Sequence, residues 1–185
     1  MCEQLHETFI LITSRFIRKL GLRMASLNLT ENQRLELIVE AVLYCQRVSA
    51  MGMPMACYSK ALREPIHFLW ERRRGTKIQS AKFRSKNALD LKFGKSEMVY
   101  DHAVPVRYLQ GELLALKEVS TFGLRSILNK YDIFVLITKA EDEMLNSAGF
   151  NRSMPDGWKV GDDPLARYNE TDIEIVNNPD YLEQI

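Results

Sequence analysis

The sequence predicts an α+β fold: N-terminal helices followed by a small sheet with helices laid against it. Three observations lead there. In LTENQRLELIVEAVLYCQRV, Leu35, Ile38, Val39, Val42 and Cys45 recur at helical spacing, so one helix face is apolar. The run YDIFVLITK is β-branched and aromatic, the composition of a strand. At 185 residues, with 46% hydrophobic and 26% charged residues, the chain is globular in composition and sized for one domain, or a small domain with a helical extension. The expected organisation is a helical region over 1–70, a basic segment and small-sheet core over 71–150, and an acidic tail over 151–185 packed on that core.

Residues 4–20 read as helix. The second helix starts after Thr30, with Gln33 three residues on, the T-x-x-Q pattern in which two side chains satisfy each other's backbone donors. Gly52 and Pro54 end it. Met51, Met53 and Met55 read as gap-filling core side chains or a mobile loop. A shorter helix or loop is expected over Tyr58–Arg63, and the apolar PIHFLW packs inward with Trp70 as an anchor and His67 as a core or boundary residue. KIQSAKFRS alternates imperfectly and reads as a strand. SEMVYDHAVPV reads as a second strand that ends near Pro105. VRYLQGELLALKEV and Thr121–Asn129 read as helices, and YDIFVLITK as the clearest strand. Thr138 and Glu141 repeat the capping pattern, opening a helix that stops at Gly149. The tail carries turn signals at Met154–Gly157 and Asp163–Pro164, and Trp158 reads as a packing anchor.

Charge is polarised along the chain. Between Arg72 and Lys95 there are nine Lys or Arg against Asp90 alone, and from Glu141 onward eleven acids against Arg152, Lys159 and Arg167. The basic stretch is the expected footprint of a polyanion, with Arg72, Arg73, Lys77, Lys82, Arg84 and Lys86 as phosphate contacts. The alternative is a solvated surface balanced by the acidic tail. No apolar run approaches the ~20 residues of a membrane span. Arg15, Arg18 and Lys19 follow the apolar run Phe9–Ile12, the reverse of a secretory signal. Met24 is an alternative start, which would make residues 1–23 an extension. Three cysteines without C-x-x-C spacing point to a reducing cytoplasm rather than to disulfides or zinc.

The chemistry is expected at YDHAVP, where Asp101 and His102 end a strand. The order strand, strand, helix, together with Asp101, His102, Val104 and Pro105, resembles the ββα-metal, or HNH, nuclease finger. The resemblance spans about residues 97–149, with no histidine after His102. It implies a metal-dependent endonuclease of defence or restriction type that hydrolyses phosphodiester bonds. His102 is then the general base, and Asp101 with Asp142 or Asn146 holds a divalent ion, Mg²⁺ ahead of Mn²⁺. A histidine that titrates near neutrality can take a proton from water, and a hard cation can neutralise developing charge on phosphate oxygens. Asp142 and Asn146, four residues apart, share one helix face. The expected partner is nucleic acid, DNA ahead of RNA, with homodimer formation open and no membrane partner. Two alternatives stay open: a binding module that kept the fold without catalysis, and a protein-interaction factor. Each residue also has a plain structural reading, His102 bonded to a nearby carbonyl, Asp101 capping a turn and Asp142 favouring the helix dipole.

Overall fold

The structure, a computed structural model, describes residues 29–91 and 97–182, and residues 32–185 form one compact unit. The helix expected over 4–20 lies outside the described residues. Helix α1 (Glu31–Ala50) buries Leu35, Ile38, Val42 and Cys45, the stripe that the spacing gives. Gly52, at φ 79°, then turns the chain in a conformation that side chains with a Cβ disfavour. This turn directs Met51, Met53 and Met55 outward, and they remain 79%, 46% and 41% exposed, so they fill no core gap.

Helix α2 (Ser59–Pro65) runs into a π-helical turn (Ile66–Trp70) and a 3₁₀ turn (Glu71–Arg74). Ile66 and Trp70 are buried there. Helix α3 (Lys77–Ser80) and strand β1 (Phe83–Ser85) follow. The strand read in KIQSAKFRS is therefore confined to its last residues. Thr76 and Gln79 form a capping box, the same T-x-x-Q signal, and this local start of a helix overrides the imperfect alternation.

Strand β2 (Met98–His102) precedes helices α4 (Val106–Ala115) and α5 (Thr121–Tyr131). Strand β3 (Phe134–Thr138) leads directly into helix α6 (Lys139–Ser147). The short helix α7 (Ala166–Asn169) and strand β4 (Ile175–Asn177) complete the described chain. The sheet order is β2-β3-β1-β4. β2 lies antiparallel to β3, from Met98 opposite Thr138 to His102 opposite Phe134. β1 is parallel to β3 and antiparallel to β4.

Three packed clusters hold these layers. α1, α2, α4 and α5 share a core with Leu62, Trp70, Leu109 and Leu128. On one sheet face Val135 and Ile137 meet Leu145 of α6 and Tyr168 of α7. On the other, Phe134 and Leu136 meet Ala81, Ile78 and Tyr100. No helix among the described residues is long and apolar enough to cross a membrane.

The β3–α6 junction is set by Thr138 and Glu141. Thr138 Oγ1 accepts from the Glu141 N–H at 3.1 Å, and Glu141 Oε2 accepts from the Thr138 N–H at 2.8 Å. Glu141 is 4% exposed and also accepts from Ser85 Oγ at 2.6 Å and Asn87 Nδ2 at 3.0 Å. One carboxylate thus caps a helix and ties β1 to it. Urea denaturation should show a loss of about 1 kcal/mol for Thr138→Ala. Glu141→Ala should lose more, about 2–3 kcal/mol, because the buried Ser85 hydroxyl also loses its acceptor.

Candidate functional site

Asp101 and His102 end β2 while still in register with β3, so their side chains leave opposite faces of the sheet. On Asp101's face, its Oδ2 accepts from Arg167 Nη2 at 2.5 Å and from the Tyr168 hydroxyl at 2.6 Å. Arg167 is 1% exposed. Its guanidinium also donates to the carbonyls of Ala103 (3.0 Å), Phe150 (2.6 Å) and His102 (2.5 Å). Five donors in a rigid fork suit such a set. Burial pushes the Tyr168 phenol well up, and the Asp101 charge adds to that, so Tyr168 stays a donor.

Asp142 lies near enough to Asp101 to sense it. Burial first, and then the Asp101 charge, raises the Asp142 carboxyl above its ordinary value. Asn146 Nδ2 donates to Asp142 Oδ2 at 3.3 Å. Asp142 and Asn146 thus sit on α6, the helix packed against the sheet face to which Asp101 points. Carboxylates and an amide carbonyl are hard oxygen donors of the kind magnesium takes. Asp101 Oδ2 is already engaged by Arg167 and Tyr168, and Asp142 Oδ2 accepts from Asn146.

His102 belongs to the opposite face. Its ring stands edge-on to Phe134, centroids 4.6 Å apart. His102 Nε2 lies 3.2 Å from Glu71 Oε1, and His67 Nδ1 lies 2.5 Å from Glu71 Oε2. Glu71 is 5% exposed. Burial pushes its carboxyl up, but hydrogen bonds and charge from His102, then from His67, outweigh it and hold the group below its ordinary value. The ligand atoms of Glu71, His102 and Asp132 also lie within 4.8 Å of one another. No sequence pattern pointed to Glu71 or Asp132.

The two faces meet at the edge of β2. A cavity of about 500 Å³ opens there, lined by Asp101, His102, Arg167, Gln110 and the cations Lys60, Arg63, Arg107 and Arg152. Arg107 Nη2 donates to the Tyr108 and Ser153 hydroxyls. Among the described residues no carboxylate pairs with Lys60, Arg63, Arg107 or Arg152. Asp101 is the only acid in the lining, and Arg167 holds it, so the cavity wall carries net positive charge. Asp142 and Asn146 do not line it.

The basic segment takes other places. Arg84 is 4% exposed and donates to Asp180 at 3.0 Å and to the Leu89 carbonyl at 3.1 Å. A guanidinium so buried and paired is out of reach of a phosphate, which corrects that expectation. Lys86 pairs with Glu174 at 2.9 Å. Arg73 stacks over Trp70, Lys77 lies over Tyr100 and Lys82 over Phe83, while Arg72 is exposed. None of the six lines the cavity. Its actual cations come from α2, α4 and the segment after α6. Only Lys60 and Arg63, three apart on one helix, carried a readable signal.

No family model, curated protein or solved structure matches the chain, so geometry carries the functional reading. Two stability effects check this geometry. Arg167→Met should cost about 3–5 kcal/mol in urea denaturation, because Asp101 loses its charge partner inside the fold. Arg167→Lys should not restore it, since one ammonium cannot reach four acceptors in a plane. The Glu71 carboxylate contributes stability that is in place above the ordinary carboxylate range and lost as pH falls through its lower folded value. The stability gap between the native chain and Glu71→Gln should therefore narrow on acidification below about pH 4.

Proposed function

We propose that the chain hydrolyses phosphodiester bonds of nucleic acid, DNA ahead of RNA, in the cavity at the edge of β2. The observation that carries this reading is a histidine opening into a cavity whose walls are cationic. β2 and β3 pair antiparallel and α6 follows β3, as in the ββα finger, but α4 and α5 stand between the two strands in the chain.

Each part has a chemical task. Lys60, Arg63, Arg107 and Arg152 draw a phosphate into the cavity and offset charge that develops on its non-bridging oxygens. His102 takes the proton from a water there. That water's oxygen then bonds to phosphorus, and the bond to the leaving oxygen breaks. Arg167 holds Asp101 beside the reacting group and keeps β2 in register with its neighbours. A divalent ion, Mg²⁺ ahead of Mn²⁺, would be held by Asp101 with Asp142 or Asn146 and would supply Lewis-acid stabilisation; of these three, Asp101 alone lines the cavity.

A second reading is a binding module without turnover. The observation favouring it is that Asp101 already serves a structural partner, Arg167. The intrachain pairs Lys86–Glu174 and Arg84–Asp180 show that basic and acidic segments partly neutralise each other, which narrows the surface left for polyanions.

Supercoiled plasmid and single-stranded RNA, each incubated with Mg²⁺ or Mn²⁺, separate these readings. The expected result is metal-dependent cleavage that His102→Ala reduces at least about 10²-fold with metal binding retained. Binding that is identical with and without metal, and no cleavage, would assign the chain to the second reading.

A further inference from the structure

We propose that Glu71 is the positioning residue for His102: its buried carboxylate fixes the imidazole tautomer that leaves Nδ1 open to the cavity, and His67 in turn holds Glu71. This rests on the reading of His102 as the base of the cavity site.

An ionised carboxylate only accepts, so the imidazoles at its two oxygens both present N–H to it. For His102 that is Nε2–H, 3.2 Å from Oε1; for His67 it is Nδ1–H, 2.5 Å from Oε2. The nitrogen that His102 has left is Nδ1, and His102 lines the cavity. A neutral imidazole with one nitrogen donating outward has its lone pair on the other. Glu71 therefore decides which nitrogen can act as a base.

The second step concerns charge. When His102 removes a proton from water at Nδ1, an imidazolium forms beside a carboxylate that is 4% exposed. In that low-dielectric setting the ion pair is worth more than in water. Glu71 keeps its own proton state; it orients and stabilises, as the carboxylate does in a nucleophile–histidine–carboxylate triad.

The surroundings keep Glu71 from moving. His67, four residues earlier, is part-exposed and does not line the cavity, so its contact is with Glu71 and not with substrate. Tyr100 faces Glu71 from β2. Burial raises its phenol most, and the charges of Glu71 and then Asp132 raise it further, with Arg72 and Arg73 acting the other way. Asp132 closes the cluster ahead of β3.

Nitrogen-15 NMR of the imidazoles tests the proposal without relying on turnover. Histidine side chains in water favour the Nε2–H form, so the informative residue is His67, which Glu71 should hold as Nδ1–H. The expected pattern in the full chain is His67 as Nδ1–H and His102 as Nε2–H, assigned with His67→Gln and His102→Gln among three histidines. In Glu71→Gln, His67 should revert to Nε2–H, and the kcat for cleavage should fall about 10²–10⁴-fold with KM unchanged. If Glu71→Gln does not fold, the native pattern and His67→Gln still decide.

His67 found as Nε2–H in the native chain would overturn the proposal, as would an unchanged kcat in a folded Glu71→Gln variant. One equivalent of Zn²⁺ bound and then lost in Asp132→Asn would also overturn it, because His102 Nε2 would then be a metal ligand. The expected tautomers in a chain that cleaves no nucleic acid would uphold the role of Glu71 and overturn the nuclease reading instead.

Discussion

β2 pairs with β3 along its length, and among the described residues no strand lies on its other side. Successive residues of a paired strand alternate between faces, so Asp101 and His102 are forced into two different environments one residue apart. Only at the open edge can both reach one space. The cavity forms there because α2 and α4 stand beside the edge with Lys60, Arg63 and Arg107, while Arg152 approaches from beyond α6. Were another strand paired to β2, the same two residues could not share a ligand.

Each face then answers for a buried charge. Arg167 on one side and Glu71 on the other are almost fully enclosed, and an enclosed ion is tolerable only when its partners are complete. Arg167 meets a carboxylate and three carbonyls; Glu71 meets two imidazoles. Such arrangements tie distant segments together more than they add net stability, since desolvation cancels much of the attraction. Their consequence is positional. The end of β2, the start of α7 and the turn at Glu71 are fixed relative to one another by hydrogen bonds that admit little slippage.

The elements with local signals were legible in the sequence. β3 declared itself by composition, α1 by its apolar spacing, and α6 by the Thr138–Glu141 box, all of which depend on residues within a few positions. The neighbouring placement of β2, β3 and α6 followed from their order. The site was legible only in outline. Asp101 points to the sheet face against which α6, the helix of Asp142 and Asn146, is packed, but His102 points to the other, a consequence of strand periodicity that the adjacency of Asp101 and His102 disguised. Arg167 lies 66 residues from Asp101, and Glu71 lies 31 residues before His102. Pairings at such separations leave no periodic trace. The run of basic residues from Arg72 misled for a related reason: linear charge density does not show which cations the sheet will bury, as it does Arg84.

The most direct test of the cavity as the catalytic centre is a crystal structure of the chain with a short, cleavage-resistant phosphorothioate oligonucleotide. The expected result is one backbone phosphate seated among Arg63, Arg107 and Arg152, facing Nδ1 of His102 at a distance that one water bridges. An oligonucleotide lying instead along the Arg72–Lys86 surface, with solvent in the cavity and His102 untouched, would contradict it.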